Sequence, residues 1–394
     1  TKSSCKSMST KLVNLNNRLL SLDVMRGITI AGMIMVNNPG SWEYVYAPLR
    51  HAEWNGLTPT DLVFPFFMFI MGISCYASLR KFDFEPTKQV ISKILKRTFL
   101  IFFVGLFLAW LGLSVSTFFQ LKSTGLPFFH LLELSVTNFE HLRILGVMQR
   151  LALCYGVASL IIIFVKHRYI PYIIAIGLVC YFLILIFGNG FQPDESNILG
   201  IIDRYILGEQ HMYTEHGVEP EGILSTIPSV CHVLIGFLCG KMLITIKDNK
   251  DRMLNLFLCG TILLFLGFLL NYGCPINKKI WSPTFVLTTC GSGALLLSLL
   301  IWIIDVKGYK SWSLFFQSFG VNPLAIYVFA GIVSVLVDSI PLNNTGFGFK
   351  SWLYAILARN IDPYLASFSL ALLFIVVCWG LAHFLYKKNI CIKL

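Results

Sequence analysis

Three polar side chains near the start of the chain have the types and spacing to do acid–base chemistry. They are Asn37, His51 and Asp61, the last two within HAEWNGLTPTDLVFPFFMFIMGIS, residues 51–74. An imidazole titrates near neutral pH and can accept a proton, and a carboxylate can orient it. The simpler alternatives are a solvated loop histidine and an Asp61 that only caps a helix. Because Asn37 ends one apolar segment and Asp61 begins the next, we expect all three at one membrane boundary.

The elements that must position these residues are apolar segments long enough to cross a membrane. The 394 residues are 56% hydrophobic and 13% charged, with a mean hydropathy of +0.72, which excludes an ordinary soluble domain. Apolar runs of about 20 residues predict transmembrane helices near 22–38, 61–80, 95–116, 145–165, 169–188, 226–246, 253–272, 281–304, 314–338 and 364–386. The expected fold is an all-α polytopic membrane protein, a single domain over residues 1–394 built as a bundle of about ten transmembrane helices.

The distribution of basic residues predicts the orientation of this bundle. If the chain starts in the cytoplasm, 22 of the 31 Lys and Arg residues fall on the cytoplasmic side. This positive-inside pattern predicts two cytoplasmic termini, a cytoplasmic segment 1–20 and a large acidic extracytoplasmic loop 189–225. The net charge of +11 therefore indicates contact with inner-leaflet lipid and not with nucleic acid. The 11 cysteines include no C-x-x-C and predict neither a disulfide framework nor a metal site.

Further polar residues near the predicted outer boundary are candidates for substrate binding. An arginine within an apolar span must find a carboxylate, a carbonyl or a substrate, so a structural partner for Arg150 is an open alternative. Aromatic residues here are also typical of an interfacial belt. The candidates are Trp54, Asn55, Gln149, Arg150, Glu221, Asn277, Lys278, Trp281 and Ser282.

Two features deeper in the predicted spans are also informative. In GVNPLAIYV, residues 320–328, Pro323 loosens the backbone hydrogen bonding at mid-membrane depth, and Asn322 could fill the gap or contact a ligand. The G-x-x-x-G from Gly236 to Gly240 indicates close helix packing.

Seven segments, spread over almost the whole chain and in the same order, resemble the heparan-alpha-glucosaminide N-acetyltransferase family. They are RLLSLDVMRG (18–27), MVNNPG (35–40), HAEWNGLTPTDLVFPFFMFIMG (51–72), GVMQRLALCYG (146–156), EPEGILSTIP (219–228), NKKIWSPTFVL (277–287) and GVNPLAIYV (320–328). The resemblance implies transfer of an acetyl group from cytoplasmic acetyl-CoA to the amine of a terminal glucosamine across the membrane. The catalytic histidine of the family corresponds to His51, and its asparagine after the first span corresponds to Asn37.

The implied reaction needs a base or acetyl carrier and a donor for the oxyanion that develops on the thioester carbonyl. His51 would serve as either base or carrier, Asp61 would hold its tautomer, and Asn37 would donate to the oxyanion. The CoA phosphates would lie among Arg26, Lys96 and Arg97, and acetyl-CoA is the only cosubstrate expected, with no metal. The simpler interpretation of these basic residues is topological, and Arg26 can also pair with Asp23 three residues away.

Departures from the family pattern leave the acceptor open. The spacing from Asn37 to His51 is longer than in the animal enzyme, and neither its luminal domain nor its leading span is found. A short bacterial member in the inner membrane is therefore expected, with an amino sugar or glycan as acceptor, lipid around it, and a homodimer compatible with the sequence. Competing interpretations are a membrane transporter for amino sugars or N-acetylglucosamine and an acyltransferase for another envelope glycan or lipid.

Overall fold

The computed structural model describes residues 19–213, 217–341 and 348–392, and α-helices dominate it. In chain order the first seven are α1 (Leu20–Asn37), α2 (Pro59–Leu79), α3 (Lys88–Leu121), α4 (Phe128–Val136), α5 (Val147–Phe164), α6 (Ile170–Phe187) and α7 (Ile198–Leu207). They are followed by α8 (Thr226–Thr245), α9 (Asn249–Leu270), α10 (Pro283–Leu300), α11 (Ser313–Val321), α12 (Pro323–Ser339), α13 (Phe349–Leu357) and α14 (Pro363–Lys387). The all-α polytopic fold predicted from the sequence is confirmed.

Nine of the ten predicted spans correspond to helices long and apolar enough to cross a membrane within the described residues. The segment predicted as one span at 314–338 is different, because α11 and α12 meet at an angle of 88°. Asn322 between them has a non-helical backbone, with φ −127° and ψ 52°. Pro323 lacks a backbone N–H and begins α12, so the hydrogen-bond ladder of α11 cannot continue through it. The sequence correctly indicated a weak point but not a break this sharp.

The helix after the first loop begins with the predicted capping box. Thr58 is the N-cap of α2, Pro59 follows it, and the side chains of Thr58 and Asp61 cap the first turn reciprocally. The start of α10 is built in a similar way, since Ser282 accepts a hydrogen bond from the N–H of Phe285 and is followed by a proline. Both helix starts are fixed by residues next to them in the chain.

Small residues allow α2 and α8 to pack with their backbones in close approach. A Cβ atom added to Gly236 would lie 2.2 Å from the carbonyl oxygen of Phe69, and one added to Gly72 would lie 2.1 Å from that of Val233. The interpretation of the G-x-x-x-G in α8 as a packing motif is thus confirmed for Gly236.

Helices of the bundle divide into an inner and an outer group. In an apolar stretch of 18 residues in α8, 72% of the positions are buried. In the corresponding stretches of α3 and α9, only 17% are buried. Most exposed side chains beyond the first two turns of α9 are large and apolar, among them Phe257, Ile262 and Phe265. A continuous apolar surface of this kind suits contact with lipid hydrocarbon and not with water.

The segment predicted as the large loop 189–225 contains a short amphipathic helix, α7, whose Leu199 and Asp203 are buried. Residues 1–18 of the predicted cytoplasmic segment, residues 214–216 of this loop and residues 342–347 and 393–394 lie outside the described part of the chain.

Candidate active site

The centre of the site is a histidine held by a buried carboxylate. The Nδ1 atom of His51 lies 2.6 Å from Oδ1 of Asp61, and the two side chains are 46% and 1% exposed. The other oxygen of Asp61 accepts hydrogen bonds from the N–H groups of Ala52 and Thr58, each at 3.1 Å. Because a carboxylate can only accept, Nδ1 of His51 carries a proton, and in the neutral imidazole the lone pair is therefore on Nε2. Asp61 therefore caps its helix and orients the histidine at once.

A lysine from a distant part of the chain completes this group. The Nζ atom of Lys278 lies 3.0 Å from Nδ1 and 3.4 Å from Nε2 of His51, and 3.5 Å from Oδ1 of Asp61. Burial lowers the pKa of Lys278, although the carboxylates of Asp61 and Glu221 oppose the shift. The arrangement thus places a cation beside the imidazole.

The backbone around Lys278 is held in a tight turn. The N–H of Ser282 bonds to the carbonyl of Asn277 at 3.0 Å, and the Asn277 side chain accepts from the N–H of Ile280 at 3.2 Å. Trp281, which is 1% exposed, has a φ of +52°, an unusual conformation for a bulky residue. The Asn277 amide also donates to Asn55 at 3.2 Å, which ties the turn to the His51 loop.

A cavity of about 440 Å³ opens beside the histidine. Five predicted site residues line it, namely Asn37, His51, Asp61, Glu221 and Lys278. The sequence did not predict the other lining residues with polar or aromatic side chains, which are Trp42, Thr60, Phe64, Arg143, Tyr213, Lys279 and Tyr327. The expected convergence of Asn37, His51 and Asp61 at one site is therefore observed, and the other lining residues are new.

One of the lining residues that the sequence did not predict is an arginine that pairs with two carboxylates. Arg143 forms salt bridges with Glu219 and, at 2.7 Å, with Glu221, whose side chains are 0% and 9% exposed. Burial opposes the charge on Arg143, but the two carboxylates outweigh it and raise the pKa of Arg143. The sequence did contain a signal for this pairing. Arg143 lies on the predicted outer side, where basic residues are few, and an arginine there needs acidic partners.

Other predicted substrate residues hold the walls of the cavity and do not line it. Arg150 is buried and bonds to Ser225 and Ser229 and to the carbonyls of Pro220 and Gly222, so it fixes the segment that carries Glu221. Of the two possibilities that the sequence left open for Arg150, a structural partner or a substrate, the structure shows structural partners.

The remaining wall residues are similarly engaged. The indole of Trp54 donates to the carbonyl of Phe191 at 2.9 Å. Gln149 is buried and packs against Gly105 of α3. Trp281 packs under the guanidinium of Arg150, 5.4 Å from the ring centre, and Ser282 caps α10.

Two sets of predicted residues do not line this cavity. They are the basic residues assigned to the CoA phosphates and Asn322 at the break between α11 and α12. Arg26 bonds to Asp23 at 3.0 Å, as predicted, and also to Ser74 at 2.9 Å. Lys96 and Arg97 are exposed on α3, and Arg97 lies over the Tyr155 ring at 4.6 Å.

Asn322 is not where the sequence suggested. Its amide donates to the carbonyl of Ile390 at 2.8 Å and accepts from the N–H of Ile392 at 2.8 Å. These partners follow the end of α14, so Asn322 lies at that end of the bundle and not at mid-membrane depth. Its side chain satisfies the backbone of the C-terminal segment, and we do not retain it as a substrate ligand.

The fold and the site define a multi-pass, all-α membrane protein with a polar, histidine-containing cavity at one end of the bundle. Comparison with known proteins specifies the family. The model of the heparan-alpha-glucosaminide N-acetyltransferase catalytic family matches residues 18–272, and the chain belongs to this family.

Two curated relatives are similar over most of the chain. The mouse heparan-alpha-glucosaminide N-acetyltransferase is 29% identical over 370 residues, which cover 79% of this chain and 53% of the mouse protein. The human protein of the same name is 30% identical over 378 residues, covering 81% and 53%. The chain therefore spans about half the length of the curated relatives it matches.

Proposed function

We propose that this chain is a transmembrane N-acetyltransferase that transfers the acetyl group of cytoplasmic acetyl-CoA to the amine of a glucosamine-type sugar on the other side. The observation that carries the proposal is the His51–Asp61 pair, with Asn37 and Lys278 around one cavity, in a member of this family. The extracytoplasmic position of the cavity is part of the proposal.

His51 acts in its neutral form through Nε2, since Asp61 holds the ring proton on Nδ1. It takes the proton of the attacking amine, or it first receives the acetyl group itself and passes it on. In both routes negative charge develops on the carbonyl oxygen. The Asn37 amide and the Lys278 ammonium are the donors near His51 that can stabilise this charge.

The acidic wall suits an amine-bearing acceptor. Glu221 lines the cavity and shares its single arginine partner with Glu219, so two carboxylates face one guanidinium. The Glu221 carboxylate can attract the protonated amine of the acceptor at this wall, and the cations of Arg143, Lys278 and Lys279 line the same cavity. The amine then loses its proton as it approaches His51.

Entry of the donor from the opposite end would follow an apolar gap that has to widen, because it has no room for a water molecule. Met33, Val147 and Tyr327 line both the cavity and a narrow pocket that continues between Ile30, Phe67 and Leu324. From Arg26 to Asn37 the helix rises roughly 16 Å at 1.5 Å per residue, a length comparable to an extended pantetheine arm. Lys96 and Arg97 are exposed and can contact the phosphates. Arg26 already donates hydrogen bonds to Asp23 and Ser74, so it would have to bind a phosphate in addition to them.

The test is CoA thiol release by the purified protein from acetyl-CoA, with and without glucosamine. We expect glucosamine-dependent release that His51→Ala lowers on the order of 100- to 10,000-fold. His130→Ala is the matched control, because His130 is an exposed histidine that pairs with Glu133 outside the cavity. Full activity in a folded His51→Ala protein would refute the role of His51. Uptake of labelled amino sugar into proteoliposomes without CoA release would support the transporter instead.

A further inference from the structure

Lys278 brings a primary amine of the protein into the proposed reaction centre. Its Nζ atom lies 3.4 Å from Nε2 of His51, the atom that receives either the acceptor's proton or the acetyl group. A carbonyl carbon that reacts at Nε2 must come within about 3–3.5 Å of its nucleophile. The lysine amine is therefore within reach of the same carbon.

The backbone that carries this amine is held in place. The turn from Asn277 to Ser282 is closed by backbone hydrogen bonds, and Ile280 is fixed by the hydroxyl of Tyr181 at 2.5 Å. A nucleophile held beside an electrophile reacts as if it were highly concentrated. Burial also lowers the pKa of Lys278, which increases the fraction of neutral amine.

We propose that Lys278 is an acetylation site of the protein itself, modified from acetyl-CoA when no amino sugar occupies the cavity. This inference rests on the proposed use of acetyl-CoA at this site. The C–S bond of the thioester breaks and its electron pair leaves with sulfur, while a C–N bond forms to Nζ. The proton displaced from Nζ passes through the imidazole of His51 to the sulfur. The products are N-acetyl-lysine and the free thiol of CoA.

The modification would switch the site off. An acetylated Lys278 has no positive charge for the oxyanion and no longer balances the charge of Asp61, and its added acetyl group occupies space beside His51. Asp61 works against the modification, because its carboxylate 3.5 Å away favours the ammonium form, which is not a nucleophile. An amino sugar in the cavity would protect Lys278 by consuming the acetyl group first.

The test incubates the purified protein with isotopically labelled acetyl-CoA, with and without glucosamine, and locates the label by peptide mass spectrometry. We expect label on Lys278 without glucosamine, less label with it, and none in Lys278→Arg or His51→Ala. Fragment spectra must separate Lys278 from Lys279. The exposed Lys250, at the start of α9, reports general chemical acetylation.

The outcomes separate this inference from the proposed function. Glucosamine-dependent CoA release without label on Lys278 overturns the inference and leaves the acetyltransferase standing. Label on Lys279 instead, or equal label on Lys250 and Lys278, also overturns it. If the protein shows neither CoA release nor label, both proposals are overturned.

Discussion

Adjacent asparagines at the end of α1 have different roles. Asn37 is exposed and lines the cavity, whereas Asn38 is buried and its amide donates to the carbonyl of Ile34 at 2.8 Å. The side chain of Asn37 can therefore reach a reacting group, and that of Asn38 closes the end of the helix.

Replacing Asn37 with alanine should lower turnover and leave acetyl-CoA affinity almost unchanged. Removing one oxyanion donor typically costs on the order of 100- to 1,000-fold in the rate of the chemical step. The measurement is single-turnover CoA release together with the dissociation constant for acetyl-CoA. Asn360→Ala is the control, because the Asn360 amide bonds to the carbonyl of Ile356 at the exposed end of α13. A pure loss of acetyl-CoA binding would contradict the oxyanion role.

At the scale of the helices, the contact between α2 and α8 connects the side of the cavity that contains His51 with the side that contains Glu221. Helix α2 begins at the histidine loop, and α8 follows the segment that carries Glu221. Arg150 of α5 bonds to both the end of that segment and the first turn of α8. The separation of the two walls therefore depends on how closely these helices pack.

Gly236→Ala should destabilise the protein by about 1–3 kcal/mol, because the new methyl group would overlap the backbone of α2. Gly380→Ala is the matched control in α14, since an added Cβ there meets no atom within 4 Å. It should be neutral or stabilise the helix by up to about 1 kcal/mol. The measurement is thermal unfolding of both variants in the same detergent. Equal unfolding temperatures would show that the close contact is not needed.

For the whole molecule, the polar cavity and the basic residues of α3 lie at different ends of the bundle. The loops that end α1 and precede α2 and α10 meet at the cavity, whereas Asn322 and the segment after α14 meet at the other end. The positive-inside rule assigns the second end to the cytoplasm. The proposed reaction depends on this orientation, because acetyl-CoA is available only there.

Cysteine labelling in intact cells tests the orientation. A membrane-impermeant thiol reagent should label Glu140→Cys, at an exposed position in the connection between α4 and α5. It should label Lys250→Cys only after permeabilisation, because Lys250 lies in the first turn of α9, next to the basic connection from α8. The unsubstituted protein provides the background from its native thiols. The reverse pattern would place the cavity on the cytoplasmic side and would exclude transfer of the acetyl group across the membrane.

Local interactions explain what the sequence by itself determined. The apolar segments predicted the spans, since helix length in a membrane is a property of consecutive residues. The Thr58–Asp61 capping box and the Asp23–Arg26 pair each join residues three apart, and both were predicted and observed. His51 and Asp61 are only ten residues apart, so their meeting at one boundary also followed from the chain.

Only the tertiary structure decided the other walls of the cavity. Lys278 contacts a histidine 227 residues away, and Arg143 contacts Glu221 across 78 residues. Asn322 looked like a ligand because its partner, the backbone of Ile390, lies 68 residues further on. A buried polar group must be satisfied, but the sequence does not say by which of many distant groups. Helix packing makes that choice, and here it gave Arg150 structural partners and placed Lys278 beside His51.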